Sequence, residues 1–170
     1  EPIDMPPSDA LSIHKNMLAT LEGRKVGILI ADGSDADELA AIVTAVEKAK
    51  GKAVIVAPKV GGAKLSNGKQ QKADGQLAGS PSQIFDAVAI IVSQEGCATL
   101  LNEGAAVEFV MNAFGHLKAI AACGGTRAHI LKAANIKPDA GVVDPGDVAD
   151  FIKLAKTRQW KREPTLRTLP

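Results

Sequence analysis

Six consecutive residues, Val26 to Ala31 (VGILIA), are apolar or glycine at every position. A strand with one wet face alternates apolar and polar side chains. An uninterrupted run rich in branched residues instead reads as a strand covered on both faces, as in a parallel sheet. Asp32, Gly33 and Ser34 then turn the chain, and the period changes. In DADELAAIVTAVEKAKG, the residues Leu39, Ile42, Val43, Val46 and Ala49 recur at helical spacing, and Gly51 ends the helix. KAVIVAP (52–58) is a second covered strand, which completes a βαβ unit with a right-handed crossover.

The same alternation continues. DAVAIIVS (86–93) predicts a third strand of the main sheet. A helical stretch from about Gly96 to Phe114 follows, with a break near Gly104. KAIAA (118–122) is a short strand, CGGT leads into a helix over Arg127 to Ala134, Val142-Val143 forms a last short strand, and Gly146 to Thr157 a last helix. Residues 61–79 interrupt this order with a Gly- and Lys-rich insertion centred on Asn67-Gly68, the signature of a tight hairpin turn. Lys64, Lys69 and Lys72 then decorate its solvated face. The expected fold is α/β, a flavodoxin-like three-layer sandwich with an open, mostly parallel sheet, helices on both faces and an inserted β-hairpin. Three segments are expected: a Pro-rich arm (1–23), the α/β domain (24–157) and a basic C-terminal tail (158–170).

Composition removes several function classes. No apolar run reaches the ~18 residues of a membrane span, and EPIDMPPSDALSIH lacks the basic and apolar regions of a signal peptide. The chain is expected to be soluble, and its lack of a starting Met fits a mature or excised fragment. Residues 151–170 carry six basic side chains against one acidic, whereas residues 1–150 carry fourteen against eighteen. A basic end of this kind serves as a solvated tail, as a strap on a partner subunit or as an anchor for nucleic acid. With five aromatic residues and no Tyr, there is no stacking platform for single strands, so no nucleic-acid partner is expected. A flavin site is disfavoured for the same reason, since its rings would have only Trp160 and four Phe to pack on. Two cysteines, Cys97 and Cys123, cannot make a four-ligand zinc site or a disulfide framework.

In open parallel sheets, ligands bind beyond the carboxyl ends of the strands. This singles out 32–38, 58–62, 94–97 and 123–126. Cys123 lies between a strand and a helix and precedes two glycines, the setting of a nucleophile elbow, where the helix terminus favours a thiolate. It reads equally as a small packing residue among alanines. Glu38, one turn into the first helix, lies at the same edge. Its two readings are a hydrogen-bond partner for Cys123 and a capping partner of Asp35 that reaches back to the cap backbone. A cysteine hydrolase also needs a base. His14 is in the arm, His116 precedes its strand at the opposite edge, and His129 is two turns beyond Cys123. After Val142-Val143 the chain offers Asp144, Pro145 and Gly146. GGAKLSNGKQ has the wrong spacing for a phosphate loop, and no G-x-G-x-x-G follows the first strand.

GRKVGILIADGSDADEL, ADGQLAGSPSQIFDAVAIIVS and EFVMNAFGHLKAIAACGG, in that order, resemble the C-terminal domain of large-subunit haem catalases over about 23–161. The lead-in PPSDALSI is similar to the linker leaving the catalase core. That domain is similar in fold to PfpI/ThiJ proteins and class I glutamine amidotransferases. The PfpI/ThiJ resemblance implies a nucleophilic role for Cys123 with Glu38 in contact, yet their histidine has no match near Cys123. Cys123 and Glu38 are therefore expected to be vestigial. The resemblance implies a non-catalytic accessory domain of a hydrogen-peroxide-degrading enzyme. Its partners would be the catalase core, sister subunits of a tetramer and, as a holding chaperone, unfolding client proteins. It would sit in the cytoplasm or be secreted with its parent. Catalase haem is held by Tyr, which this chain lacks, so the cofactor is expected in the core and not here. The alternative is a stand-alone PfpI/ThiJ-type cysteine enzyme (protease, deglycase or glyoxalase) acting through Cys123.

Overall fold

The computed structural model describes residues 3–166, the side chains of 124–126 excepted, so the side chain of Thr126 in the CGGT turn and the whole of Arg167 in the basic tail lie outside what it describes. The strands are β1 (Lys25–Ile30), β2 (Lys52–Ala57), β3 (Ala63–Lys64), β4 (Gln70–Gln71), β5 (Gly75–Gln76), β6 (Ala87–Ile91), β7 (Ile120–Ala122) and β8 (Val142–Val143). The helices are α1 (Ile13–Asn16), α2 (Ala36–Lys48), α3 (Gln94–Leu100), α4 (Gly104–Gly115), α5 (Gly124–Ala133), α6 (Val148–Ala155) and α7 (Glu163–Leu166). Among the described residues six strands form one sheet in the order β5-β2-β1-β6-β7-β8, with every pairing parallel. The chain goes from β1 to β2 on one side and returns to β6 on the other. This places the topological switch point between β1 and β6.

The apolar runs are continuous because both faces are covered. On one face Val26, Ile28 and Ile30 pack with Leu39, Ile42 and Val46 of α2 and Phe151 of α6. On the other, Leu29, Val88 and Ile90 pack with Leu100 of α3, Phe109 and Val110 of α4, and Ile130 of α5. Gly27 has a packing reason to be glycine: a Cβ there would stand 2.4 Å from the Phe85 ring, which occupies that space.

The insertion forms the expected hairpin. β3 and β4 pair antiparallel, Ala63 with Gln71 and Lys64 with Gln70. Gly68 takes the left-handed conformation (φ 81°), and Asn67 Oδ1 accepts from the Lys69 amide. The hairpin is docked, not loose. Gly33 N donates to Lys64 O at 2.7 Å, Lys64 N to Asp32 Oδ1 at 2.9 Å, and Ser66 N to Ser34 O at 2.9 Å. No hydrophobic period marks β5. It is a two-residue edge strand, held by reciprocal bonds between Ile55 and Asp74.

Two helix boundaries depart from expectation in ways that matter for the site. The third helix starts at Gln94, where Ser93 Oγ caps Gly96 N at 3.0 Å, and the break falls between Leu100 and Gly104. The fifth helix starts at Gly124, three residues before Arg127, which makes Cys123 its N-cap residue.

Candidate functional site

The carboxyl edge of the sheet assembles residues far apart in sequence. Ser34, fully buried, ties the ends of β1 and β6: its Oγ accepts from Ala31 N at 2.9 Å and lies 2.5 Å from Ile91 O. This fixes the β1–α2 turn and hence the first turn of α2. Asp35 caps that turn, with Oδ1 accepting from the amides of Asp37 and Glu38 at 2.9 Å each. Asp35 thus satisfies two of the unpaired N–H groups that open the helix. Glu38 does not reach back to the cap backbone as a capping box would have it. Its Oε2 instead accepts from Cys123 Sγ at 3.2 Å, across 85 residues of chain. Cys123 Sγ also lies 3.6 Å from Ile90 O.

The electrostatics of this pair run against a nucleophile. Burial, the hydrogen bond to Glu38 and the charge of Glu38, helped by Asp144, push the Cys123 thiol up to about 12; a backbone hydrogen bond at Val92 opposes them weakly. A neighbouring carboxylate disfavours a second negative charge, and a hydrogen bond accepted from S–H favours the protonated form. The thiol is a donor. Cys123 also has φ −55° and ψ 137°, so the backbone lacks the strained geometry of a nucleophile elbow. The histidines stand elsewhere. His14 stacks on Trp160 with ring centroids 4.0 Å apart, His116 caps the end of α4, and His129 is exposed on α5.

The remaining edge positions line a separate cavity of about 150 Å³, bounded by Asp32, Pro58, Lys59, Gly62, Glu95 and Gly96 among others; neither Cys123 nor Glu38 borders it. Cys97 lies on the buried face of α3, and burial raises its thiol; both cysteines are thiols with no disulfide. Lys64, Lys69 and Lys72 are exposed on the hairpin. Among the described residues no three His, Cys, Asp or Glu side chains gather to hold a metal ion. With no Tyr, the chain has no catalase-type haem ligand.

Two charged residues at the opposite edge of the sheet escaped sequence reasoning. Lys118 is 2% exposed; its Nζ donates to Ser82 O, and burial and Arg158 lower it to about 8 against the pull of Asp86. Arg162 is equally buried and pairs with both carboxylate oxygens of Asp139, at 2.7 and 2.9 Å. It also donates to the carbonyls of Phe114 and Lys118, and lies 3.8 Å over the Phe114 ring. Arg158 bonds Asp86 O at 3.0 Å. Arg158 and Arg162, which by position belong to the expected basic tail, fold back onto the domain. A charge count along the chain carries no signal for that.

The topology defines a flavodoxin-like α/β domain with an open parallel sheet. Solved structures agree at the level of fold. The oxidized DJ-1 of Toxoplasma gondii matches with a TM-score of 0.64 and 17% identity, covering 85% of this chain and 98% of that one. A DJ-1 superfamily protein of Salmonella typhimurium matches with a TM-score of 0.65 and 19% identity, covering 76% and 86%. The family model for the C-terminal domain found in long catalases matches residues 22–164, and the chain belongs to that family. Catalase C of Rhizobium meliloti is 39% identical over 170 residues, covering 96% of this chain and 24% of that protein. Catalase HPII of Pseudomonas aeruginosa is 28% identical over 169 residues, again at 96% and 24%. The chain therefore spans about a quarter of the length of these relatives. Among the described residues no helix is long and apolar enough to cross a membrane.

Proposed function

We propose that this chain is a non-catalytic accessory domain of a large, hydrogen-peroxide-degrading catalase, where it stabilises the assembly and holds unfolding clients. The observation that carries the non-catalytic part is the Cys123 thiol donating to Glu38, half-buried and protonated at neutral pH. Thiol catalysis needs the thiolate. In this reading residues 1–23 link the domain to a haem-bearing core, and sister subunits complete the assembly. The arm suits a contact role. Ile3, Met5, Leu11, Ile13 and Leu18 all expose large apolar side chains, Ile3 to 84% and Leu11 to 83%. Exposed apolar surface of this kind marks sites for protein partners.

The holding activity is tested by heating an aggregation-prone client with the chain present. The expected result is suppressed light scattering at equimolar chain; unchanged scattering removes the chaperone part. The second reading, a PfpI/ThiJ-type cysteine enzyme, draws support from the Cys123–Glu38 contact. It requires turnover that disappears in Cys123→Ala, and the protonated thiol opposes it.

A further inference from the structure

The chain end of α5 forms a trench that neither the edge site nor the accessory role uses. Asn135 enters the left-handed region (φ 53°) and reverses the chain. Ile136 N then donates to Leu131 O at 2.8 Å, and Asn135 N to Lys132 O at 3.0 Å, the paired bonds of a Schellman closure. Pro138 stiffens the returning segment. Residues 136–138 line the trench together with the helix, and this open trench holds about 540 Å³. At the far end the Arg127 guanidinium is held by Nη2 donating to Val142 O at 3.0 Å.

The lining is chemically one-sided. Ala128 and Pro138 give it exposed apolar surface over the buried Leu131 and Ile136, Arg127, Lys132 and Lys137 three positive charges, and no acidic residue lines it. Among the described residues none of the three cations makes an ion pair within the domain. A guanidinium fixed at one edge keeps further N–H donors in a plane that matches carboxylate and phosphate oxygens. The volume is that of a small-molecule pocket, which spans roughly 300–1,000 Å³.

We propose that this trench binds a small anionic amphiphile, with its carboxylate or phosphate against Arg127, Lys132 and Lys137 and its apolar body along Ala128 and Pro138. The proposal does not depend on the catalase reading. It is tested on the 170-residue chain by calorimetry and amide chemical shifts with octanoate, octyl phosphate, octanol and octylamine. One or both anions should saturate at one site and shift residues 127–138, and which of them does so assigns carboxylate or phosphate. Octanol and octylamine should bind about tenfold or more weakly. Lys132→Glu with Lys137→Glu, both at exposed positions, should weaken the anions by about the same factor without altering the fold. Three results overturn the proposal: no saturation by either anion, equal binding of octanol, or unchanged affinity in the double variant. Saturation by an Asp/Glu-rich peptide alone would overturn it too, in favour of a protein-docking groove.

Discussion

A thiol and a carboxylate 3.2 Å apart can share a proton in either sense, and the surroundings decide which. Cys123 is half-buried and faces the charges of Glu38 and Asp144, so the proton stays on sulfur. Alkylation by iodoacetamide should therefore remain slow through neutral pH and accelerate only well above the ordinary thiol range near 8.5. Glu38→Gln should move that acceleration to lower pH by removing the charge. A rate already at its plateau at pH 7 would contradict both statements. The sequence placed Cys123 and Glu38 at one edge of the sheet, but the direction of the Glu38 side chain was not legible. That direction depends on β7 lying two strands from β1, a property of the assembled sheet. Lys118 was still less legible, since KAIAA reads as a strand with a charged first residue. Its folded value, lowered to about 8 from 10.5, means the unfolded chain binds the proton more tightly between those two values. The unfavourable burial of the charge is thus fully present below about pH 8 and relieved as pH rises towards 10.5. The urea midpoint of the native protein should climb relative to Lys118→Met over that interval; parallel profiles would show that Lys118 does not titrate as described.

The elements follow closely from local pattern wherever a period or a turn signal was long enough to read. β1, β2 and β6 are apolar at both parities because α2 and α6 cover one face and α3, α4 and α5 the other. The Asn67-Gly68 turn named its own hairpin. Elements without such a signal were missed. β5 is two residues long, and what makes it a strand is the Asp74–Ile55 exchange, not its own sequence. The contact between Gly27 and the Phe85 ring is a test of the packing between β1 and the segment before β6. Gly27→Ala should destabilise by about 2 kcal/mol in urea unfolding, the usual range for overpacking a tight core. Phe85→Leu in that background should recover part of the loss, because it removes the obstructing ring. Simple addition of the two single losses would show that they are not in contact.

At the scale of the molecule, the C-terminal segment closes the amino edge of the sheet. Arg162 gathers Phe114 and Lys118, from the turn between α4 and β7, and Asp139, from the segment before β8. Removing a buried, fully bonded guanidinium leaves its acceptors unpaired, so Arg162→Ala should cost about 3 kcal/mol at pH 7. Burial works to raise Asp139, but the hydrogen bonds from Arg162 and Gly141 win and hold it below its ordinary 3.8. A depressed carboxylate contributes stability above its unfolded value and loses it as pH falls through the folded one. The gap between native protein and variant should therefore be full above about pH 5 and shrink under acid; a gap independent of pH would remove Asp139 from the account. The apolar arm lies at the other end of the chain, and its exposure is what ties this fold to the proposed role beside a catalase core. The decisive measurement deletes residues 22–164 from a catalase chain that carries them, then compares turnover per haem, thermal inactivation and sedimentation. A stabilising accessory role predicts unchanged turnover per haem, faster thermal inactivation and an assembly that dissociates more readily. Loss of turnover in an intact assembly, or an assembly indifferent to the deletion, would contradict it.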